Sequence, residues 1–466
     1  MALGLFARGT HDLVQIPDCV AHHPRLNAAA AVIVEACDRS GIRAYDEAGG
    51  TGDLRYVQLT AVGAGGTSAD LDPSAAVQVA LVWNAPAPLT SPPSARVEKS
   101  EELPIPERAE ALAREIWRAG GGAAGGSDEQ EDEGGGLIHS VWVNFNDSRK
   151  NDIVGEVWAH VAGPRWHWSR HGGADVCYTP GSFMQSNSGA YNELLRALSV
   201  HVPSGAAVSE LYAGAGAIGL SIAAGASVGS GTESLGEGEG GGVQTQADGT
   251  VGPDQSPVAT TSRDSGREDK IAALSSVRCV ECVAAARETF EVSAGRLPEA
   301  MRQRVSFEVA RADQAVNSAV RDADVLIVDP PRKGLDAYTL AALTGGVARI
   351  GHGGGEGGAA VKAGSRRRNR RRRAKRKDGG GGDAEGEPSL VPTSSTVTLP
   401  PPPDRLDILI YVSCGFDSFV RDCDALLGSG EWRIAHAEGF NFFPGGDALE
   451  VLAVFHRNKT GGVGNV

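Results

Sequence analysis

The sequence predicts an α/β protein in two parts, a smaller mixed α/β domain over residues 1–180 and a Rossmann-like domain over residues 181–460. Three observations carry this expectation. After residue 206, apolar β-branched segments alternate with helical registers, the pattern of a parallel, doubly wound sheet. One of those segments runs into "AGAGAIG" at 213–219, a glycine-rich turn that opens a helix. Three low-complexity tracts interrupt the chain without disturbing the alternation, so they read as loop expansions rather than domain boundaries.

The first part contributes strands at 54–62 ("LRYVQLTAV") and 75–83 ("AAVQVALVW"), then a helix over 106–118 with the register "ERAEALAREIW". Strands near "IHSVWVNF" and "GEVWAHV" follow. A helix, "SGAYNELLRALSVHV", leads into the second part, where "AVSELY", "VRCVEC", "VSFEVA", "VLIVDPP", "LDILIYVSC" and "ALEVLAVFHR" are strands. Helices are expected at "AIGLSIAAG", "VAAARETFEVSAG" and "DSFVRDCDALL". The tracts at 120–136, 225–270 and 351–403 cannot bury enough apolar surface to offset the entropy of ordering, and disorder is expected in all three.

Formal net charge is −14, although "RRRNRRRRAKRK" at 366–377 holds ten positive charges in twelve residues. The remainder is more acidic than the total suggests, so contact with a polyphosphate has to be local. The basic run reads as a cationic arm for RNA, a nuclear-import-like patch or a chance expansion. Seven scattered cysteines suit a reducing compartment better than a disulfide framework. No apolar run approaches the length of a membrane span. No targeting peptide is visible at the start, which leaves chloroplast or another organelle, cytoplasm and nucleus all open.

"ELYAGAGAIGL" sets Gly214, Gly216 and Gly219 at the end of a strand, where backbone approaches a ligand closely and a helix amino end favours a polar group. The turn alone does not separate a nicotinamide dinucleotide from S-adenosyl-L-methionine (SAM), nor either from a tight packing turn. Glu281, at the end of the next strand, is placed to accept from a cofactor's ribose hydroxyls if 225–270 is an insertion. The pair Cys279 and Cys282 forms C-x-x-C without a second pair at zinc spacing. Strand geometry points the two thiols to opposite faces, so both read as ordinary buried thiols. In "VLIVDPPRKGLD" an Asp ends a buried strand and two prolines stiffen the turn, which aims Asp329 at the ligand edge of the sheet and leaves Arg332 and Lys333 free to meet phosphate. "YVSCGFDS" then runs a strand into Cys414 just ahead of a helix, where the helix dipole favours a thiolate.

Taken in order, these segments resemble the RNA (uracil-5-)-methyltransferase family, SAM-dependent enzymes that make 5-methyluridine in transfer and ribosomal RNA. The resemblance rests on "GTHDLVQIPDCVAHHPRLN", "PGSFMQSNSGAYNELL", "ELYAGAGAIGL", "DPPRKGLD", "YVSC" with "RDCDALL", and "GFNFFPGGDALEVLAVFHR". It covers nearly all the chain outside the three tracts, and its wording is most similar to plant and algal members. It implies a class I SAM-dependent methyltransferase domain, SAM as cofactor, and transfer or ribosomal RNA as partner. By the same resemblance Cys414 is the nucleophile and Glu450 the proton acceptor. Gln185, Tyr212, Gly214, Gly216, Glu281, Asp313 and Asp329 are then the cofactor-binding residues.

The chemistry points the same way. Carbon 5 of uracil is a poor nucleophile until a thiolate adds at carbon 6, and a base must afterwards remove the carbon 5 proton so that the thiol can leave. The reacting base must also be unstacked.

The chain departs from the family pattern in places. Ala448 stands where the family has His, which bears on the tuning of Glu450. Gly415 and Phe416 replace the usual Asn-Pro after the cysteine. The family's amino-terminal OB-like (TRAM) barrel is not expected in this chain. Cys19 resembles the last ligand of a four-cysteine iron–sulfur cluster but lacks its partners, so no metal is expected, and we expect a monomer. Three other readings stay open on the residues: a decayed homologue that only binds RNA, an NAD-dependent oxidoreductase built on the glycine turn, and an adenine amino-group methyltransferase, which needs no thiol.

Overall fold

The computed structural model describes all residues except 8, 11, 64–71, 89–103, 123–135, 151, 226–273, 351–394, 447 and 459–466. Most of each expected low-complexity tract therefore lies outside the described residues. The chain opens with a short hairpin, β1 (Gly4–Phe6) and β2 (Leu13–Gln15), and a helix, α1 (Pro24–Arg39). Pro24 sits where a helix start tolerates it, and the His23 side chain accepts a hydrogen bond from the Arg25 N–H.

A four-stranded sheet follows, from β3 (Leu54–Val62), β4 (Ala76–Trp83), β5 (Ile138–Phe145) and β6 (Val157–Ala162), in that spatial order. β4 and β5 are parallel because α2 (Glu107–Ala119) crosses between them, while the outer pairs are antiparallel. The apolar faces of α1 and α2, through Ile33, Leu112 and Ile116, close one core against Val79, Leu81 and Val143.

Next come the hairpin of β7 (His167–His171) and β8 (Ala174–Tyr178), the helix α3 (Ser188–Ser199), β9 (Ala207–Leu211) and α4 (Ala217–Gly225). After them lie β10 (Ser276–Glu281), α5 (Ala286–Ala294), α6 (Glu299–Arg302), β11 (Val305–Val309), α7 (Ala312–Asp322) and β12 (Val325–Val328). The chain finishes with α8 (Ala337–Thr344), β13 (Val347–Ile350), β14 (Ser395–Thr398), β15 (Ile408–Ser413), α9 (Phe416–Gly428), β16 (Trp432–Phe440) and β17 (Glu450–Arg457).

Seven of these strands form one sheet in the order β11-β10-β9-β12-β15-β17-β16. The first five are parallel, and β17 runs antiparallel to both β15 and β16. The expected parallel sheet is thus extended at one edge by an antiparallel pair. The short connection from β16 to β17 permits only a hairpin, so the last strand returns in reverse between β15 and β16. Helices α3, α4 and α5 supply the core on one face, with Leu194, Leu220 and Phe290; α7, α8 and α9 supply the other, with Val316, Leu343 and Leu426.

Two expected boundaries also move. Ala174, Val176 and Tyr178 of β8 are buried in the core of the large sheet, so the second unit begins before residue 181. At the other end, disorder was expected through residue 403, yet Ser395–Thr398 forms β14, paired antiparallel with β13, and Leu399 is buried. The β-branched run "STVT" supplies a strand that the surrounding proline and glycine content hid.

Candidate active site at the carboxyl edge of the large sheet

The order of the parallel strands reverses at β9, and ligands of such sheets bind at the carboxyl ends beside that reversal. Backbone register brings the predicted residues there. Leu211 pairs with Val280 on one side and Val328 on the other, so the next residues along, Glu281, Tyr212 and Asp329, share one edge. Ser413 pairs with Val451, and one step beyond that pair Cys414 comes opposite Glu450. Residues directly opposite in antiparallel strands bring their side chains together on one face.

The glycine turn is built by contacts that sequence reading did not anticipate. Glu210, buried at the end of β9, accepts from the Gly219 N–H at 2.9 Å and from the Cys279 thiol at 3.2 Å. Burial pushes its carboxyl up to about 8. Glu281 accepts from the Gly214 N–H at 3.0 Å and the Val283 N–H at 2.9 Å, and so clasps the turn from the neighbouring strand. Gly216 is required twice over: its φ is +78°, and a Cβ there would lie 2.5 Å from the Phe290 ring. Among the described residues Tyr212 is the non-glycine residue with positive φ, at 62°, a strain of about 1–3 kcal/mol of the sort that gathers at ligand sites. Its hydroxyl donates to Asp336 at 2.9 Å, and Asp336 in turn caps α8.

A crevice opens at this edge. Gln185, Tyr212, Gly214 and Asp329 line it, together with Glu210 and Tyr191, which were not foreseen. Gln185 comes from the loop ahead of α3; Asn187 of that loop caps α3 and donates to the Phe442 carbonyl at 3.1 Å, tying the loop to the β16–β17 hairpin. Tyr191 is buried, and the charges of Asp329, Glu210 and Glu450 all raise its phenol after burial itself. Burial also holds Asp329 at about 7. Acids raised in this way mark a wall that lacks positive charge.

Cys414 and Glu450 both lie near enough to feel the charge of Asp329, which lines the crevice. Glu450 is 5% exposed, and its Oε1 has no hydrogen-bond partner among the described residues. Burial, then the charge of Asp329, pushes it up to about 8 against the pull of Arg332. The Cys414 thiol is raised rather than lowered, first by burial and then by the charges of Glu450 and Asp329, with Arg332 opposing. Burial first, and then these two acids, oppose the effect of the helix amino end on the thiol.

The turn after Asp329 is strapped to α9. Asp422, fully buried, accepts from the Leu335 N–H at 2.8 Å and the Tyr411 hydroxyl at 2.9 Å. Arg421 donates to the Lys333 carbonyl at 2.7 Å and Ser418 to the Arg332 carbonyl at 2.7 Å. These bonds hold Arg332 beside Cys414. The "RD" of "RDCDALL" is the signal for them.

Asp313, like Glu281, is not among the residues that line the crevice; it lies on the first turn of α7 in an ion pair with Arg311 at 3.1 Å, following β11 at the edge of the sheet, three strands from β12. Cys279 is buried under the glycine turn as expected, but Cys282 is exposed beyond the strand end. Among the described residues no helix is long and apolar enough to cross a membrane, and no group of three or more His, Cys, Asp or Glu is arranged to hold a metal.

No protein-family model matches the chain. Over 455 residues it is 26% identical to an uncharacterized RNA methyltransferase of Protochlamydia amoebophila, covering 98% of this chain and 82% of that one. Among solved structures it is similar to the Pyrococcus abyssi tRNA (uracil-54, C5)-methyltransferase in complex with S-adenosyl-L-homocysteine, with a TM-score of 0.51 and 17% identity over 97% of this chain and 74% of that one. The chain has the fold of a class I SAM-dependent methyltransferase. A putative SAM-dependent methyltransferase from Streptococcus mutans is a looser match, with a TM-score of 0.36 and 10% identity over 95% of this chain and 84% of that one.

Proposed function

We propose that this chain transfers a methyl group from SAM to carbon 5 of a uridine in transfer or ribosomal RNA. The observation that carries the reading is the register that sets Cys414 against Glu450 beside the crevice. The crevice suits SAM in charge. Among the described residues that line it are the carboxyls Glu210 and Asp329 and no Lys, Arg or His, which favours a ligand bearing a sulfonium and an ammonium and disfavours the pyrophosphate of a dinucleotide. SAM, when bound, supplies an electrophilic methyl group.

The residues of the chain do the rest. Cys414 Sγ gives its proton to solvent and bonds to carbon 6, and the displaced π pair makes carbon 5 nucleophilic, so that carbon 5 takes the methyl group as S-adenosyl-L-homocysteine leaves. Glu450, with its unpartnered Oε1, accepts the carbon 5 proton after methylation, the C5–C6 double bond re-forms, and the C–S bond breaks with its electron pair going to sulfur as the thiolate. Asp329 and Gln185 line the cofactor side, and Glu281 holds the turn open at Gly214. Arg332 sets its positive charge near both reacting side chains.

Incubation with methyl-labelled SAM and unmodified transfer or ribosomal RNA, followed by nucleoside mass spectrometry, tests the reading. Labelled 5-methyluridine is expected. Label in methyladenosine, or in no nucleoside, would contradict it.

A further inference from the structure

Phe416 is 54% exposed, although burial of a phenylalanine ring is among the larger contributions to any core. It stands on the first turn of α9, two residues after Cys414. Its inner edge is not loose. The ring centroid lies 6.4 Å from that of Phe419, which meets Tyr411 of β15 edge-on at 5.3 Å. A rigid aromatic row therefore runs out from the sheet and ends in solvent at the mouth of the site.

The turn packed against the start of α9 carries two cations. Arg332 and Lys333 are exposed, and among the described residues neither side chain forms a hydrogen bond or an ion pair. Their backbone is fixed on α9 by Ser418 and Arg421, and a Cβ built on Gly415 would meet the Arg332 carbonyl at 2.4 Å. Asp417, on the same turn as Phe416, is exposed and is the acidic residue of that turn.

We propose that Phe416 is a stacking platform for the unpaired base next to the reacting uridine, with Arg332 and Lys333 holding the adjoining phosphates. This rests on the methyltransferase reading above. The reacting ring must lie between Cys414 and Glu450, so a ring on the outer side of Cys414 meets its neighbour. Extrusion of the uracil leaves that neighbour without a stacking partner, and an exposed aromatic side chain replaces the lost stack whatever the base. Unpartnered cations beside an exposed ring favour a nucleic-acid strand over an apolar protein surface.

Fluorescence anisotropy in the presence of SAM, with labelled transfer-RNA and ribosomal-RNA transcripts made with 5-fluorouridine, tests the proposal on three proteins, the natural chain, Phe416→Leu and Phe416→Trp. The Leu variant keeps apolar volume and is expected to melt like the natural chain yet bind about tenfold more weakly, within the range that loss of one stacked base produces. The Trp variant is expected to bind like the natural chain. Binding by Phe416→Leu within twofold of the natural chain overturns the platform, as does a Trp variant as weak as the Leu one. Covalent adducts scored in the same tubes report separately on the underlying reading. RNA binding by the natural chain without an adduct overturns methylation at carbon 5 while the Leu-to-Trp contrast still decides the platform, and no RNA binding by any of the three overturns both.

Discussion

Cys414 and Glu450 face one another one register step past the Ser413–Val451 pair, both under the charge of Asp329, which lines the crevice. Reversal of β17 produces this arrangement. A parallel last strand would have carried residue 450 to the far end of the sheet. The hairpin instead returns it to the end where β15 finishes.

Replacement of Glu450 by Gln keeps the shape and removes the base. Methylation is expected to proceed as far as the covalent enzyme–RNA complex and stop, with turnover lowered by about 10²–10⁴-fold. A band of protein crosslinked to ordinary, unfluorinated RNA on a denaturing gel checks this. The natural chain should show little of it at steady state.

The raised carboxyls give a pH dependence of definite sign. Glu450 is lifted from 4.5 to about 8 and Glu210 likewise, so between those values the native state keeps protons that the unfolded chain has released. Stability therefore falls as pH rises through that window. The urea midpoint should be lower at pH 8 than at pH 5.5, and Glu450→Gln should recover part of the difference at pH 8 but not at pH 5.5. Activity runs the opposite way, since the base must be ionised. The kcat/KM for methyl transfer should climb with pH and level off near 8.

Asp422 carries more than its place inside a helix suggests. Its replacement by Ala leaves the Leu335 N–H and the Tyr411 hydroxyl buried without partners, and the expected loss is about 3 kcal/mol. Denaturant unfolding measures it. Because the same carboxylate straps down the turn that bears Arg332, adduct formation should slow as well under conditions where the variant remains folded.

Asp329→Asn separates charge from shape in the crevice. It should weaken binding of SAM more than binding of S-adenosyl-L-homocysteine, which lacks the sulfonium charge, and leave NADH unbound as in the natural chain. Calorimetric titration of the three ligands reads the contrast directly.

Much of this site was legible in the sequence because short-range rules govern it. "AGAGAIG" and "VLIVDPP" each place a residue at a strand end, and strand ends in parallel sheets converge on one edge. Glu450 was visible only through the resemblance, since register across a hairpin is not written in local spacing. Tyr191 and Glu210 were missed because helical and strand patterning marks both simply as core positions. Where Asp313 falls relative to the crevice depends on which strand stands at the sheet edge, and local spacing does not show that. The expected Cys414 thiolate followed from the helix amino end, a local signal, whereas the acids that oppose it come from β12 and β17.

Peptide mapping of the covalent complex tests the central claim most directly. The chain is mixed with SAM and 5-fluorouridine-containing transfer RNA, digested, and the nucleotide-bearing peptide is sequenced by mass spectrometry. The account predicts one modified peptide, with a methylated fluorouridine on Cys414. A nucleotide on another cysteine, or no modified peptide while labelled methyl still enters ordinary RNA, would contradict it.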